Sequence, residues 1–314
     1  MLTLSTNLAT LQLKNPVMLA AGVLGISGPV LKRVANAGAG AVVTKSIGPE
    51  PREGYNNPTV VPLNEFSCLN AVGLSNPGYL EFSKEIILAK QENVPIIVSI
   101  FGADIDEFCT IAKKMEKSGA DALELNLSCP HGGKYGASIG QDPQLSGEIV
   151  YAVKNTVQIP VFIKLTPNVT DLIPIAKSAE NNGADAITAI NTVRAMCIDI
   201  ETGQPLLSNA FGGLSGPAIK PIAIKHIYDL YKEVGIPLIG VGGIVSWEDA
   251  IEFFLAGATA IQVGTGLLRT SFLDMFNELT EGILSYLRRK GYTRLEEIIG
   301  LTHRLKSYRG SLYE

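Results

Sequence analysis

The stretch Ser118-Gly119-Ala120-Asp121-Ala122-Leu123-Glu124-Leu125-Asn126-Leu127-Ser128 decides the fold. It follows a segment of helical period, Ile105 to Lys117, in which Ile105, Phe108, Ile111, Ala112 and Met115 share one face while Lys113, Lys114 and Glu116 lie off it. A glycine just past a helix end supplies the left-handed C-cap, and a short polar link then feeds an apolar, β-rich run. Near-copies of this junction stand at Ala37-Gly38-Ala39-Gly40 and Asn182-Gly183-Ala184-Asp185, with a fourth at Ala256-Gly257-Ala258. A junction that recurs along the chain is architectural.

Working outward, eight apolar runs precede helical segments: Pro16 to Ala21, Ala41 to Ile47, Pro95 to Phe101, Ala122 to Ser128, Pro160 to Thr166, Ala186 to Asn191, Pro237 to Val241 and Ala260 to Gly264. Strand and helix in alternation argue for a parallel sheet, and eight βα units predict a closed (β/α)8 TIM barrel. A doubly wound open sheet uses the same local pattern and is the structural alternative. Barrels of about 250 residues or more form one domain, so residues 1–314 are read as a single barrel domain with a β-ribbon in Met1 to Lys14.

Composition narrows the function. Apolar residues make up 46% and charged ones 18%, enough for a large core and too little charge for a disordered chain. A net charge of -4 without a basic block gives nothing to grip a phosphate backbone, so nucleic acid is disfavoured and a small-molecule partner is expected. Met1 to Lys14 lacks the basic n-region and unbroken apolar core of a signal peptide, and no stretch reaches the ~20 apolar residues of a spanning helix, so no membrane is expected. Cys68, Cys109, Cys129 and Cys197 form no C-x-x-C pair, so neither a metal site nor an iron–sulfur cluster is read, and a reducing cytoplasm fits.

In a barrel the chemistry collects where strands end. The second run ends in Lys45-Ser46, the fourth in Asn126-Leu127-Ser128-Cys129-Pro130, the fifth in Lys164-Leu165-Thr166-Pro167 and the sixth in Asn191-Thr192. Any one of these is as easily a satisfied core group, but four strands sharing the feature point to a site. The seventh and eighth runs end in Gly240-Val241-Gly242-Gly243-Ile244 and Val263-Gly264-Thr265-Gly266, where backbone N–H groups can approach an anion. Gly212-Gly213-Leu214-Ser215-Gly216-Pro217, ahead of the seventh helix, adds Gly216 to the same expected phosphate site. Cys129 stands between a strand and the glycine-rich His131 to Gly136, a stretch long enough for a lid. A thiol there can exchange a proton with substrate, whereas Cys68, Cys109 and Cys197 read as small buried hydrophobes. His131 as nucleophile partner of Cys129 is a minor alternative, because one intervening residue gives poor geometry.

From Asn15 to about Thr270 the chain resembles the dihydroorotate dehydrogenase family. The likeness is carried by Asn15 to Gly22, Thr44-Lys45-Ser46, Asn70 to Gly78, Glu124 to Pro130, Lys164 to Asn168, Asn191-Thr192, Gly213 to Pro221 and Gly242-Gly243-Ile244. The resemblance implies FMN-dependent oxidation of dihydroorotate to orotate in pyrimidine biosynthesis, with Cys129 as base. It implies that Lys45 lies between flavin and substrate carboxylate, and that the Asn70-Ala71-Val72-Gly73-Leu74 segment cradles that carboxylate through the Gly73 and Leu74 backbone. Asn70, Asn126, Asn191 and Thr192 match the groups holding the pyrimidine ring. Lys164 matches the lysine at the electron-rich edge of the flavin, where a cation favours the reduced anion. Ala21, Gly22, Ser46 and Ile190 match flavin-lining positions, with Ser99 on the third strand beside them. Gly216, Gly242, Gly243, Gly264 and Thr265 match the phosphate cradle.

The implied chemistry is proton abstraction from C5 by the Cys129 thiolate with hydride transfer from C6 to flavin. A free cysteine titrates near pKa ~8.5, so activity is expected to rise with pH unless Lys45 or local dipoles lower that value. Three positions depart from the family pattern: His131 and Ser99 each replace an asparagine, and Ala21 replaces a serine. Cys129-Pro130-His131-Gly132 with Gly140-Gln141-Asp142-Pro143 also resembles the flavin domain of dihydropyrimidine dehydrogenase, which makes uracil or thymine reduction the enzyme alternative. Against it, uracil would leave the carboxylate cradle empty. A barrel that merely binds a phosphorylated metabolite explains the glycines but not Lys45, Lys164 and Cys129 together. Gly213 to Pro221 resembles the NAD-linked, two-subunit class more than the fumarate-linked one. That class implies a homodimer at the centre of a heterotetramer, with FAD and a [2Fe–2S] cluster on a partner subunit.

Overall fold

Eight parallel strands close on themselves in chain order in the computed structural model, which describes residues 2–64, 67–90, 94–127, 139–268 and 272–305. The barrel strands are β1 (Val17–Leu19), β2 (Ala41–Val43), β3 (Ile96–Ile100), β4 (Ala122–Asn126), β5 (Val161–Leu165), β6 (Ala186–Ala189), β7 (Leu238–Val241) and β8 (Ala260–Val263). Each is followed by a helix: α1 (Gly28–Asn36), α2 (Tyr79–Ala89), α3 (Ile105–Lys117), α4 (Pro143–Lys154), α5 (Ile173–Asn181), α6 (Lys220–Glu233), α7 (Trp247–Ala256) and α8 (Phe272–Lys290). The closure of β8 onto β1 through Ile261↔Val17 and Val263↔Leu19 excludes the open-sheet alternative.

All eight strands lie inside the expected runs, and all are shorter. Four runs lose their opening proline for a physical reason. Pro16, Pro95, Pro160 and Pro237 have no N–H for the ladder, but their carbonyls accept from Ile261, Val42, Leu123 and Ile187 of the neighbouring strands. The repeated Gly junctions also have a common geometry. Gly38, Gly119, Gly183 and Gly257 all sit at positive φ, between 94° and 128°, where an L side chain would be strained. Asp121 and Asp185, two residues past the second and third of them, accept from the N–H of Ile96 and Val161 at the foot of the preceding strands, at 2.8 and 2.7 Å. The helix-to-strand junctions are thus stitched across neighbouring units. On α3 the expected stripe is buried at Phe108, Ile111, Ala112 and Met115, and Asp104 caps its first turn by accepting from the Glu107 N–H.

Inside the barrel the lower layer is apolar: Met18, Ala41, Val43, Ile97, Ala122, Phe162, Ala186, Ile239 and Ala260 form one buried cluster. Leu8 and Leu13 of the expected N-terminal ribbon, which pairs Thr6–Leu8 with Leu11–Leu13, plug this layer from below. At the opposite end the long connections after β2 and β6 pair with each other, in the antiparallel order Val193–Ala195, Gly212–Ser215, Cys68–Asn70, Val60–Pro62. The glycine-rich run Gly212 to Ser215 is therefore an inner strand of this sheet. The helix after it is the sixth of the barrel, not the seventh as expected, and Pro217 opens a short 3-10 turn before it.

The fully buried Leu13 gives a test of the plug. Leu13→Ala should lower unfolding stability in urea by about 2–5 kcal/mol, the usual cost of emptying a leucine-sized site in a packed interior.

Candidate active site

Alternate residues of a strand face the same side, so two steps beyond the apolar layer the inward positions are occupied by Ser99, Glu124, Lys164, Thr188 and Gln262. All five are buried and all are polar. The bonds of the last four form one network. The Glu124 carboxylate, with no exposed surface, accepts through Oε2 from Thr188 Oγ1 at 3.0 Å and from Gln262 Nε2 at 2.6 Å. Its other oxygen has no hydrogen-bond partner, and the Lys164 ammonium stands 3.7 Å from it. Lys164 also donates to Gln262 Oε1 at 3.4 Å.

A cavity opens directly above this layer, at the C-terminal ends of the strands. Every barrel strand except β3 contributes to its wall or to the loop that follows. Ala21 and Gly22 come from the end of β1, Lys45 and Ser46 from β2, Asn126 from β4, and Lys164 from β5. Ile190, Asn191 and Thr192 follow β6, Gly242 and Gly243 follow β7, and Gly264 and Thr265 follow β8. The antiparallel sheet walls one flank and delivers Asn70, Ala71, Val72, Gly73 and Leu74 to the same space. The structure thus brings together residues more than 200 positions apart.

Ser99 and Gly216 stand outside the lining. Ser99 is fully buried behind Ser46, its hydroxyl 2.8 Å from the Ser46 hydroxyl, and Ser46 in turn accepts from Asn126 Nδ2 at 2.9 Å. Its contact with the cavity runs through Ser46 and Asn126. Gly216 packs behind the loop after β7: a Cβ on Gly243 would lie 2.8 Å from the Gly216 carbonyl oxygen. Cys129 and the neighbouring His131 to Gly136 lie outside the described residues.

The polar wall is held by its own bonds. Asn70 Nδ2 donates to the Gly213 carbonyl at 3.0 Å, across the sheet. Asn168 Nδ2 donates to Thr166 Oγ1 at 2.9 Å and to the Thr192 carbonyl at 3.1 Å, while its Oδ1 accepts from the Arg194 N–H at 2.8 Å. Thr265 Oγ1 donates to Ser215 Oγ at 2.8 Å, tying the end of β8 to the sheet. Gly73 and Leu74 both adopt positive φ, 76° and 59°, so two successive peptides turn in the left-handed region at the cavity wall.

The lining leaves open space beside cationic side chains, which suits an anionic group. A Cβ built on Gly22 meets nothing within 4 Å, and one on Gly264 meets only the Ala20 methyl at 3.5 Å, so glycine at these positions leaves space that a side chain would fill. The buried Lys164 ammonium borders that space, and two lysines with glycine loops make it suited to negative charge.

Four residues at this site carried no individual sequence signal. Glu124, Thr188 and Gln262 were buried among apolar strand residues, although each shares strand parity with an inward neighbour two residues away. Cys68, read as a plain core residue, lines the cavity as well as being buried, and burial pushes its thiol pKa up, which disfavours the thiolate.

Comparison with known proteins places the chain in a family. A family model described as dihydroorotate dehydrogenase matches residues 3–287. A protein of Methanocella arvoryzae is 53% identical over 302 residues, spanning 96% of this chain and 98% of the relative. One of Methanocaldococcus jannaschii is 51% identical over 304 residues, 96% and 98%. One of Pyrococcus horikoshii is 50% identical over 298 residues, 95% and 97%. All three are named dihydroorotate dehydrogenase B (NAD(+)), catalytic subunit. With half of its residues shared along nearly the whole length and a family match across the barrel, the chain belongs to the dihydroorotate dehydrogenase family.

Proposed function

We propose that this barrel oxidises dihydroorotate to orotate, with FMN held at the mouth and Cys129 as the catalytic base. The observation that carries the reading is the gathering of Lys45, Lys164 and the asparagines Asn70, Asn126 and Asn191 on one cavity whose remaining wall is glycine loop. Two cations suit two anionic groups, a carboxylate and a flavin, and the amides supply paired donors and acceptors for a pyrimidine ring. Uracil has no carboxylate for Lys45 and the Gly73–Leu74 turn.

FMN would be held by Ala21, Gly22, Ser46, Lys164 and Ile190 around its ring system and by Gly242, Gly243, Gly264 and Thr265 at its phosphate. When bound, it supplies the acceptor for the hydride that leaves C6. Lys45 draws the substrate carboxylate to one end of the site. Asn70, Asn126, Asn191 and Thr192 fix the ring, so that C5 is presented to Cys129 and C6 to the cofactor face. The Cys129 thiolate takes the C5 proton. Ser99 and Asn168 act at one remove, through Ser46 and Thr192.

Electrons then leave through a second subunit. The named relatives are catalytic subunits of NAD(+)-type enzymes, and the present sequence has no dinucleotide fingerprint and no paired cysteines for a cluster. The reading therefore includes a partner carrying FAD and a [2Fe–2S] cluster, a homodimer of this chain within a heterotetramer, and a cytoplasmic setting. Among the described residues no helix is long and apolar enough to cross a membrane.

Purified and reconstituted, the protein should show flavin absorbance that bleaches on anaerobic addition of dihydroorotate. Bleaching by dihydrouracil alone refutes the substrate. Cys129→Ser should keep its flavin and reduce it at least ~100-fold more slowly at pH 7, the usual scale of a lost general base; an unchanged stopped-flow rate removes Cys129 from the mechanism. Gly264→Leu should fold, by circular dichroism, yet take up at least ~10-fold less FMN on titration, because the new side chain occupies the cofactor space. For the partner, steady turnover with fumarate by the isolated chain, as fast as its own flavin reduction, would place it in the single-subunit class instead.

A further inference from the structure

The Glu124 carboxylate lies beneath the cavity, and the proposed reaction gives it no role. A fully buried carboxylate is costly unless it is paired, and replacing it with an apolar residue would remove that cost. Here it is built in with care. Thr188 and Gln262 anchor Oε2 from two other strands, and Oε1 has no hydrogen bond but points its charge at Lys164, 3.7 Å away. Gln262 bridges the pair, donating to the carboxylate through Nε2 and accepting from the ammonium through Oε1. Among the described residues no other salt bridge to either partner is formed. Lys164 and Gln262 line the cavity and Glu124 does not, so the lysine is the element through which the carboxylate acts on anything bound above.

We propose that Glu124 is a positioning residue that acts through Lys164: its anchored carboxylate holds the ammonium at the barrel mouth and offsets part of its charge, so that the pair, rather than the lysine alone, sets the reduction potential of the flavin. The inference rests on the FMN reading above. The separation of 3.7 Å without a direct hydrogen bond matters to it. Carboxylate and ammonium attract, yet the lysine's donors are not consumed by Glu124 and remain available towards the cavity. Thr188 contributes by taking up one lone pair of the carboxylate, which spreads its charge away from the lysine. The network is also tied to strand parity, since Glu124, Lys164, Thr188 and Gln262 are inward residues of four different barrel strands.

The test is the midpoint potential of bound FMN, measured against a redox dye in the reconstituted protein, for the wild type, Glu124→Gln, Lys164→Met and the double variant. Glu124→Gln removes the negative charge and puts an amide where Oε1 stood, leaving the ammonium's field unopposed. FMN should become easier to reduce, with the ratio of reduced- to oxidised-flavin affinity rising about tenfold, the order expected for one charge a few ångströms further off than the lysine. Lys164→Met should shift the potential the other way. In the double variant the Glu124→Gln shift should be smaller than in the wild-type background, because the part that runs through holding the Lys164 ammonium is lost and only the direct field of the carboxylate remains. A general loss of packing would lower FMN affinity in both redox states and leave their ratio unchanged. If Glu124→Gln does not fold, Thr188→Val keeps the charge, concentrates it on Lys164, and should make FMN harder to reduce. FMN-loaded Glu124→Gln or Thr188→Val with the wild-type potential, or an undiminished shift in the double variant, overturns the inference alone. A wild-type chain that takes up no FMN overturns it together with the functional reading.

Discussion

A closed eight-stranded barrel leaves its inward side chains no route to water, and that constraint organises the rest of the molecule. Low in the barrel the inward positions are apolar and plugged by Leu8 and Leu13, so packing alone stabilises them. One layer higher they are polar, and there each group must be satisfied by another strand or by something bound above. Glu124, Thr188, Gln262 and Lys164 satisfy most of one another's needs across the barrel axis. The cavity sits on top of that layer because it is where the inward-facing polar surface is no longer closed over by side chains. Floor chemistry and site chemistry are therefore continuous, with Lys164 belonging to both.

The mouth is shaped by a second constraint, the pairing of two long connections. The segment after β2 and the segment after β6 hydrogen-bond as neighbouring antiparallel strands, Gly213 opposite Asn70 and Leu214 opposite Leu69. This pairing orients Asn70 and brings the Gly73–Leu74 turn to the cavity that Lys45 also lines. It also explains why Gly212 and Gly213 are glycines. A Cβ on Gly213 would lie 2.0 Å from Thr192 Oγ1, and one on Gly212 would lie 2.3 Å from the Asn70 carbonyl, so both are required by close approach in the sheet. Both are residues of the sheet, and Gly213 lines the cavity together with Gly242, Gly243 and Gly264.

Most of the fold was legible because its signals are local. A glycine cap is set by one helix end, an amphipathic stripe by 3.6-residue spacing, and a barrel strand by a run of apolar residues; the Gly38, Gly119, Gly183 and Gly257 junctions all took the expected left-handed conformation. The shortfall in strand length is local too, since a proline can accept but not donate at a strand's start. Candidate residues at strand ends were legible because the architecture says where chemistry collects. Ser99 shows the limit of that reasoning: it lies on a barrel strand with inward parity, yet its short side chain ends against the Ser46 hydroxyl and does not line the cavity.

By itself the sequence determined the eight βα units, the N-terminal ribbon, the strand-end polar residues and, through its motifs, the family, all of which depend on residues close together in the chain. Only the tertiary structure decided which distant groups meet. Glu124 and Gln262 are 138 positions apart and Asn70 and Gly213 143 apart, and no periodicity within either segment encodes the other's position. A buried carboxylate in an apolar strand reads the same whether its counter-charge lies above, below or nowhere. The register of β4 beside β5 is what sets it next to Lys164, and barrel closure is what brings Gln262 of β8 to the same carboxylate.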